Sequence, residues 1–312
     1  MGKIAFVFAG QGSQFPGMGK DLYDNFACAK RIFDMAGESV KEMCFYGSKG
    51  ELTQTINAQP CLFAADLACA AVFTESGIKA DGAAGFSLGE IPALSFCGLM
   101  EEKQAFSFVN FRAKVMDECA KKNIGEMFAI LKLPAYKVEA ICESIPGCYP
   151  VNFNCEGQTV AACALSSSEE LKAKVASSGG KAVKLAVSGA FHSPFMDEAS
   201  AKISQYLRGA VFGEMKIPLY SNVTATVYGS PEKLIAGQAN SPEKFIARQV
   251  NSPVLWQKTI ENMISDGFDT FAEMGPGKTL SGLIKKINAD VKVVNVSDVS
   301  SLNEAKKTLG HS

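Results

Sequence analysis

The chain has 312 residues, of which 47% are hydrophobic and 20% charged, a size typical of one large α/β domain or two unequal units. Its 31 basic and 32 acidic residues leave a net charge of −1, so no broad cationic surface for nucleic acid or membrane is expected. The apolar stretch at 4–9 is too short for a secretory signal or a membrane span.

The ten cysteines form no Cys-x-x-Cys pair. Most of them lie in apolar surroundings, so we expect reduced, buried thiols rather than disulfides or a zinc site, in a cytoplasmic protein.

The first third of the chain alternates predicted strands and helices. A strand at Lys3–Phe8 ends in a glycine-rich turn, and an amphipathic helix extends from about Lys20 to a stop at Gly37. Further elements are a helix at 59–74, a strand at 82–86 and helices at 91–96 and 102–120. Pro92 removes a possible hydrogen bond, which predicts a distorted first turn.

The middle third has the order β-α-β-β-α-β, which is that of a ferredoxin-like unit. Its elements are predicted at 127–131, 134–144, 151–154, 159–164, 168–177 and 181–187. Afterwards come strands at 217–220, 268–273 and 291–296, a helix after Gly275, and helices with Ser-Pro starts at 230–231 and 241–242. We therefore expect a large α/β-hydrolase-like domain with a parallel sheet (1–123 and 189–312) and an inserted ferredoxin-like subdomain (124–188).

The pentapeptide at 85–89, Gly-Phe-Ser-Leu-Gly, matches the Gly-x-Ser-x-Gly pattern of a nucleophile elbow. Small residues around Ser87 permit a sharp strand-to-helix turn that holds the hydroxyl at a helix N-terminus. With 28 glycines, chance gives such a pentapeptide in roughly one similar chain in five to ten. The position between a predicted strand and a predicted helix favours a catalytic serine.

The glycine-rich turn at 10–14 does not match a nucleotide-binding loop. Phe15 replaces the last glycine of a dinucleotide fingerprint, and Met18 replaces the lysine of a phosphate-binding loop. The Gly-Lys-Thr at 277–279 is also excluded as the end of a phosphate-binding loop, because Ala272 occupies the position of the first glycine of that motif. The turn at 10–14 is then an ordinary tight turn or a source of N–H donors for an oxyanion.

Arg112 is the one charged residue on the apolar face of the predicted helix at 102–120. A buried guanidinium needs strong partners. It forms either a structural ion pair or a fork that binds a substrate carboxylate in bidentate fashion.

His192 is the only candidate for histidine chemistry, because the other histidine, His311, is next to last in the chain. A lone histidine is often a satisfied core residue. Small residues before it and a proline after it predict an ordered turn at the seam of the two predicted domains, where sites are common.

Together these motifs resemble those of the malonyl-CoA:acyl carrier protein transacylase family over essentially the whole chain. The matching segments, in the order of the family, are 8–14, 85–90, Arg112, 189–193, Arg248-Gln249 with Pro253 and Trp256, and 275–278.

The resemblance implies a role for each motif. Ser87 is the nucleophile and His192 is its base. The backbone N–H groups of Gln11 and Leu88 form the oxyanion hole. Gln249 orients the histidine through its main-chain carbonyl, so a dyad replaces a triad with an acid.

The resemblance also implies how the acyl group is selected. Arg112 binds the malonyl carboxylate, and the bulky Phe191 leaves little room for an α-methyl group. Asn152 and Asn154 match positions near the site. Phe86 departs from the pattern, since many members have histidine there, and this leaves fine side-chain selectivity open.

The implied activity is transfer of malonyl from malonyl-CoA to the phosphopantetheine thiol of acyl carrier protein in fatty acid biosynthesis. It requires no cofactor, and coenzyme A enters as part of the substrate. A monomer without metal, membrane or nucleic acid is expected, with Lys184, Lys278 and Lys285 as candidates for carrier docking. The alternatives are a trans-acting malonyltransferase of polyketide synthesis, a serine esterase or thioesterase, and a non-catalytic carrier-binding module.

Overall fold

A five-stranded parallel sheet and a four-stranded antiparallel sheet organise the fold. The computed structural model describes residues 2–229 and 241–311, so the helix predicted to start at 230–231 lies outside the described residues. The described strands are β1 (Lys3–Phe8), β2 (Gly82–Gly85), β3 (Gly125–Leu131), β4 (Cys148–Cys155), β5 (Gln158–Ala164), β6 (Lys181–Lys184), β7 (Leu219–Tyr220), β8 (Phe268–Met274) and β9 (Lys292–Val296). The described α-helices are α1 (Lys20–Asn25), α2 (Ala27–Ala36), α3 (Glu38–Tyr46), α4 (Lys49–Thr53), α5 (Thr55–Glu75), α6 (Glu90–Phe96), α7 (Glu102–Lys122), α8 (Ala135–Glu143), α9 (Ser168–Ser177), α10 (Asp197–Tyr206), α11 (Pro242–Gln249), α12 (Trp256–Ser265), α13 (Thr279–Ile287) and α14 (Val299–Leu309).

The parallel sheet has the strand order β7-β2-β1-β8-β9, and all its neighbouring strands run parallel. β1 lies in the centre and is buried after its first residue, which explains its uninterrupted apolar sequence. The carboxyl ends of β1, β2 and β8 share one edge of the sheet. The loops that follow them, at 9–14, 86–89 and 275–278, therefore lie side by side.

The antiparallel sheet has the order β4-β5-β3-β6, the ferredoxin-like arrangement that the element order predicts. It packs with α8 and α9 around a small core of its own that includes Phe128, Val138 and Leu171. The predicted α/β fold class with a parallel sheet and a small ferredoxin-like unit is confirmed. The domain boundaries at 124 and 188 stay a prediction.

Several predicted elements differ from the observed ones. The helix predicted from Lys20 to Gly37 is wrong as one helix: Phe26 is extended, with φ −130°, and separates α1 from α2. The strand predicted at 181–187 ends at residue 184. α11 begins at Pro242 as expected, but the Ser241 side chain forms no capping bond. Pro92 lies in the first turn of α6, after a 3₁₀ turn at 87–89.

The long helix α5 is apolar enough, by length and composition, to cross a membrane. Most of its residues are nevertheless buried inside the protein, where it packs against α2 and α7. α5 is therefore a central core helix. All ten cysteines are free thiols, and only Cys28 is more than slightly exposed, as expected from the sequence.

Candidate active site

The turn after β2 has the backbone geometry of a nucleophile elbow. Ser87 has φ 52°, a left-handed conformation that costs a non-glycine residue about 1–2 kcal/mol. A Cβ on Gly85 would lie 2.0 Å from the carbonyl carbon of Gly89, and a Cβ on Gly89 would lie 2.2 Å from the carbonyl oxygen of Phe8. Gly85 is therefore required for the turn to close on itself, and Gly89 for the turn to pack against β1.

Replacing Gly89 by alanine is expected to lower the free energy of unfolding by about 3 kcal/mol, because the new methyl group must displace backbone atoms. Gly282 in α13 is a matched control, since its Cβ would meet no atom within 4 Å. The Gly282→Ala variant is expected to gain about 0.5–1 kcal/mol from helix propensity. Urea unfolding of both variants checks this, and equal stabilities would contradict the packing argument.

Asn222, in the loop after β7, forms two side-chain hydrogen bonds with the backbone of the elbow. Its Oδ1 accepts a hydrogen bond from the Ser87 N–H at 2.8 Å, and its Nδ2 donates to the Gly85 carbonyl at 2.6 Å. The side chain thus bridges the two ends of the strained turn and fixes the position of the serine.

The serine hydroxyl contacts the imidazole of His192. The Ser87 Oγ lies 2.7 Å from Nε2, and Nδ1 lies 2.9 Å from the main-chain oxygen of Gln249. A carbonyl oxygen only accepts hydrogen bonds, so the neutral ring must carry its proton on Nδ1. Nε2 is then unprotonated and accepts from the hydroxyl, as a general base requires.

The position of Gln249 also favours the charged form of the histidine during a reaction. Gln249 is the last residue of α11, where carbonyl groups lack helical partners and form the negative end of the helix dipole. In the resting site, burial and the nearby Arg112 charge lower the pKa of His192 to about 4. The imidazole is therefore neutral at pH 7.

Arg112 in α7 is buried and held by two glutamines. Its Nη1 donates to Gln59 Oε1 at 2.7 Å and its Nη2 to Gln249 Oε1 at 2.8 Å, while Nε has no partner within the described part of the chain. Burial lowers the pKa of Arg112 to about 10, so it remains charged at neutral pH. No carboxylate of the described residues lies within 4.0 Å of it, which excludes a direct structural ion pair there.

Ser87, His192 and Arg112 line one cavity of about 230 Å³ between the parallel sheet and the antiparallel sheet. Gln11, Phe86, Asn152, Asn154 and Phe191 also line it. Leu88, which follows Ser87 in the chain, and Gln249, which donates to the Ser87 carbonyl, are both buried.

The turn that contains Gln11 lies against the elbow. A Cβ on Gly10 would be 2.6 Å from the carbonyl oxygen of Phe86, and the Gln11 side chain donates to Thr55 Oγ1 at 3.2 Å. The structure thus brings to one location the seven residues for which the resemblance implies a role, namely Gln11, Ser87, Leu88, Arg112, Phe191, His192 and Gln249. Their catalytic roles stay predictions.

Two residues that support the site were missed by the sequence reasoning. Gln59 is a buried amide in the mostly apolar helix α5, which also buries Asp66. Its polarity among apolar neighbours is the signal that could have identified it. Asn222 follows a strand of only two residues, and no local sequence pattern distinguishes it.

Comparisons with known proteins identify the family of the chain. The acyl transferase domain family matches residues 5–307. The chain is 39% identical to the malonyl CoA-acyl carrier protein transacylase of Bacillus subtilis (strain 168), over 99% of this chain and 98% of that protein.

Two solved structures extend the comparison. The malonyl CoA-acyl carrier protein transacylase from Clostridium perfringens superposes with a TM-score of 0.92 at 34% identity, covering 99% of this chain and 97% of that one. A malonyl-transacylase in complex with its type II PKS acyl-carrier protein superposes with a TM-score of 0.90 at 32% identity, covering 98% and 99%. The chain therefore belongs to the malonyl CoA-acyl carrier protein transacylase family, within the acyl transferase domain family.

Proposed function

We propose that this protein transfers malonyl from malonyl-CoA to the phosphopantetheine thiol of acyl carrier protein in fatty acid biosynthesis, through a malonyl ester on Ser87. The observation that carries the proposal is the hydrogen bond of 2.7 Å between Ser87 Oγ and His192 Nε2, in the same cavity as the buried Arg112 guanidinium.

In the first half-reaction, His192 Nε2 takes the proton of Ser87 as Oγ bonds to the thioester carbon. The tetrahedral oxyanion is stabilised by the N–H groups of Gln11 and Leu88, each contributing about 3–4 kcal/mol. When the carbon–sulfur bond breaks, the imidazolium returns its proton to the coenzyme A thiolate, which leaves as a thiol.

The second half-reaction reverses the direction of these steps. His192 takes the proton of the phosphopantetheine thiol, the sulfur attacks the ester carbon, and the proton passes to Ser87 Oγ as the carbon–oxygen bond breaks. The Gln249 carbonyl holds the ring in one tautomer throughout. A thiolate is a good leaving group, so this dyad suffices without a carboxylate.

Acyl selectivity follows from two residues that line the cavity. The charged Arg112 binds the free carboxylate of malonyl, so an acetyl group leaves the guanidinium without a counter-charge. Phe191 lines the cavity beside His192 and is 6% exposed, and its ring excludes an α-methyl branch.

The acceptor is supported by the structural relative that is complexed with its type II PKS acyl-carrier protein. Of the three lysine candidates for docking, Lys184 pairs with Glu126, and Lys285 donates to the carbonyl groups of Ala289 and Val291. Lys278 is thus the best candidate to meet an acidic carrier. We expect the enzyme to act as a monomer in the cytoplasm.

The test is incubation with radiolabelled malonyl-CoA, peptide mapping of the label, and a chase with holo acyl carrier protein from fatty acid or polyketide synthesis. Label on the Ser87 peptide that moves to the carrier thiol is expected. Rapid loss of label to water without an acceptor would indicate a thioesterase, and failure to attach any label would indicate a non-catalytic module.

The pH dependence of acylation should reflect the low pKa of His192. The base works only when neutral, and its pKa of about 4 lies below the ordinary value for histidine, about 6.5. We expect kcat/KM for malonyl-CoA to stay constant from pH 7 down to about pH 5 and to fall tenfold per unit below about pH 4. An acid limb centred near pH 6.5 would contradict this.

A further inference from the structure

The buried carboxylate of Glu90 lies behind the cavity, at the start of α6, and no step of the mechanism uses it. Glu90 is 1% exposed. Its Oε2 accepts from the Asn222 N–H at 3.0 Å and from Gln249 Nε2 at 3.1 Å, and its Oε1 accepts from the Tyr228 hydroxyl. Three donors converge on it, which is the environment of an ionised carboxylate.

Glu90 has no ion-pair partner within 4.0 Å among residues 2–229 and 241–311. A buried charge without compensation is costly. The buried guanidinium of Arg112 has the same difficulty. Burial raises the pKa of Glu90 and lowers the pKa of Arg112, and the electrostatic effect of each group on the other opposes that shift and favours the charged forms.

The side-chain amide of Gln249 connects the two charges. Its Oε1 accepts from Arg112, and its Nε2 donates both to Glu90 and to the Ser87 carbonyl, the latter at 2.7 Å. Turning the amide over would set its oxygen against two acceptors and its nitrogen against the guanidinium. The amide is therefore locked, and it is polarised from both sides.

We propose that Glu90 is a specificity-determining positioning residue: it is the resident counter-charge of Arg112, linked to it through Gln249. It keeps the guanidinium charged and in place in the empty site. It also weakens the attraction between Arg112 and a substrate carboxylate, so that the site binds a malonyl group but still releases it. This inference rests on the proposed function of Arg112 as the carboxylate-binding group.

Glu90→Gln tests the charge separately from the geometry. The new side-chain oxygen takes the place of Oε2 and still accepts from Asn222 and Gln249, while the new amide nitrogen donates to the Tyr228 oxygen. Once the anion is removed, the substrate carboxylate becomes the main counter-charge of Arg112. We expect the malonyl-to-acetyl ratio of kcat/KM to rise about 3- to 10-fold, with a lower KM for malonyl-CoA.

Glu273→Gln is the matched control. Glu273 is also fully buried and accepts three hydrogen bonds, from Leu280 N, Ser281 N and Ser281 Oγ, but it caps α13 and has no link to Arg112. This variant should lose stability without changing the ratio. A Glu90→Gln ratio that stays at the wild-type value, or falls, would overturn the proposal.

A stability cycle tests the same pairing without any turnover. Glu90→Gln and Arg112→Gln each leave one buried charge uncompensated, whereas the double variant leaves none. Chemical denaturation should find the double variant more stable than either single variant, and strictly additive losses would refute the pairing. Malonyl label on Ser87 of the wild type tests the proposed function independently, so the two failures are distinguishable.

Discussion

Replacing His192 by alanine is expected to slow the acylation of Ser87 by malonyl-CoA about 10²–10⁴-fold. The imidazole is the only base in contact with the Ser87 hydroxyl in the described structure, and a serine hydroxyl is a weak nucleophile without one. Rapid-quench measurement of the malonyl ester gives the rate directly. Binding of malonyl-CoA should change much less, because Arg112 and the cavity remain.

The second histidine of the chain supplies the control for this experiment. His311 lies after α14, and His311→Ala should acylate at the wild-type rate. If His192→Ala retained more than a tenth of the wild-type rate, another group would have to remove the proton, and the dyad would be wrong.

Much of the fold could be predicted because the signals are local. β1 and the strands of the ferredoxin-like unit follow from short apolar runs with turn residues between them. The elbow was predicted from its glycines. The structure requires them, because a Cβ on Gly85 or Gly89 would lie about 2 Å from backbone atoms. The break at Phe26 could not be predicted, because the amphipathic pattern continues through it and only tertiary packing decides the backbone angle there.

The chemistry of the site was predictable where one residue contradicts its surroundings, as Arg112 does on an apolar helix face. Which side chains bind Arg112 was not predictable, since Gln59 and Gln249 reach it from 53 and 137 positions away. The same holds for Asn222, which contacts Ser87 across 135 positions. Such contacts depend on how the strands are ordered in the sheet, and no local spacing in the sequence encodes that order.

Replacing Arg112 by alanine is expected to lower kcat/KM for malonyl-CoA about 10²–10³-fold, since the substrate carboxylate would then enter a buried cavity without a counter-charge. Acetyl-CoA carries no carboxylate and never used the guanidinium. Its turnover should fall by a few-fold at most. The malonyl-to-acetyl ratio is therefore the quantity to measure, by acylation of Ser87 with each labelled thioester.

The ratio separates a binding role for Arg112 from a structural one. Loss of the side chain leaves the acceptor oxygens of Gln59 and Gln249 without their donor, which destabilises the fold and reduces both activities alike. Arg31→Ala removes a surface arginine that is paired with Glu102 and should change neither activity. Equal losses with malonyl and acetyl in Arg112→Ala would mean that the guanidinium only supports the fold, and the carboxylate would have to be bound elsewhere.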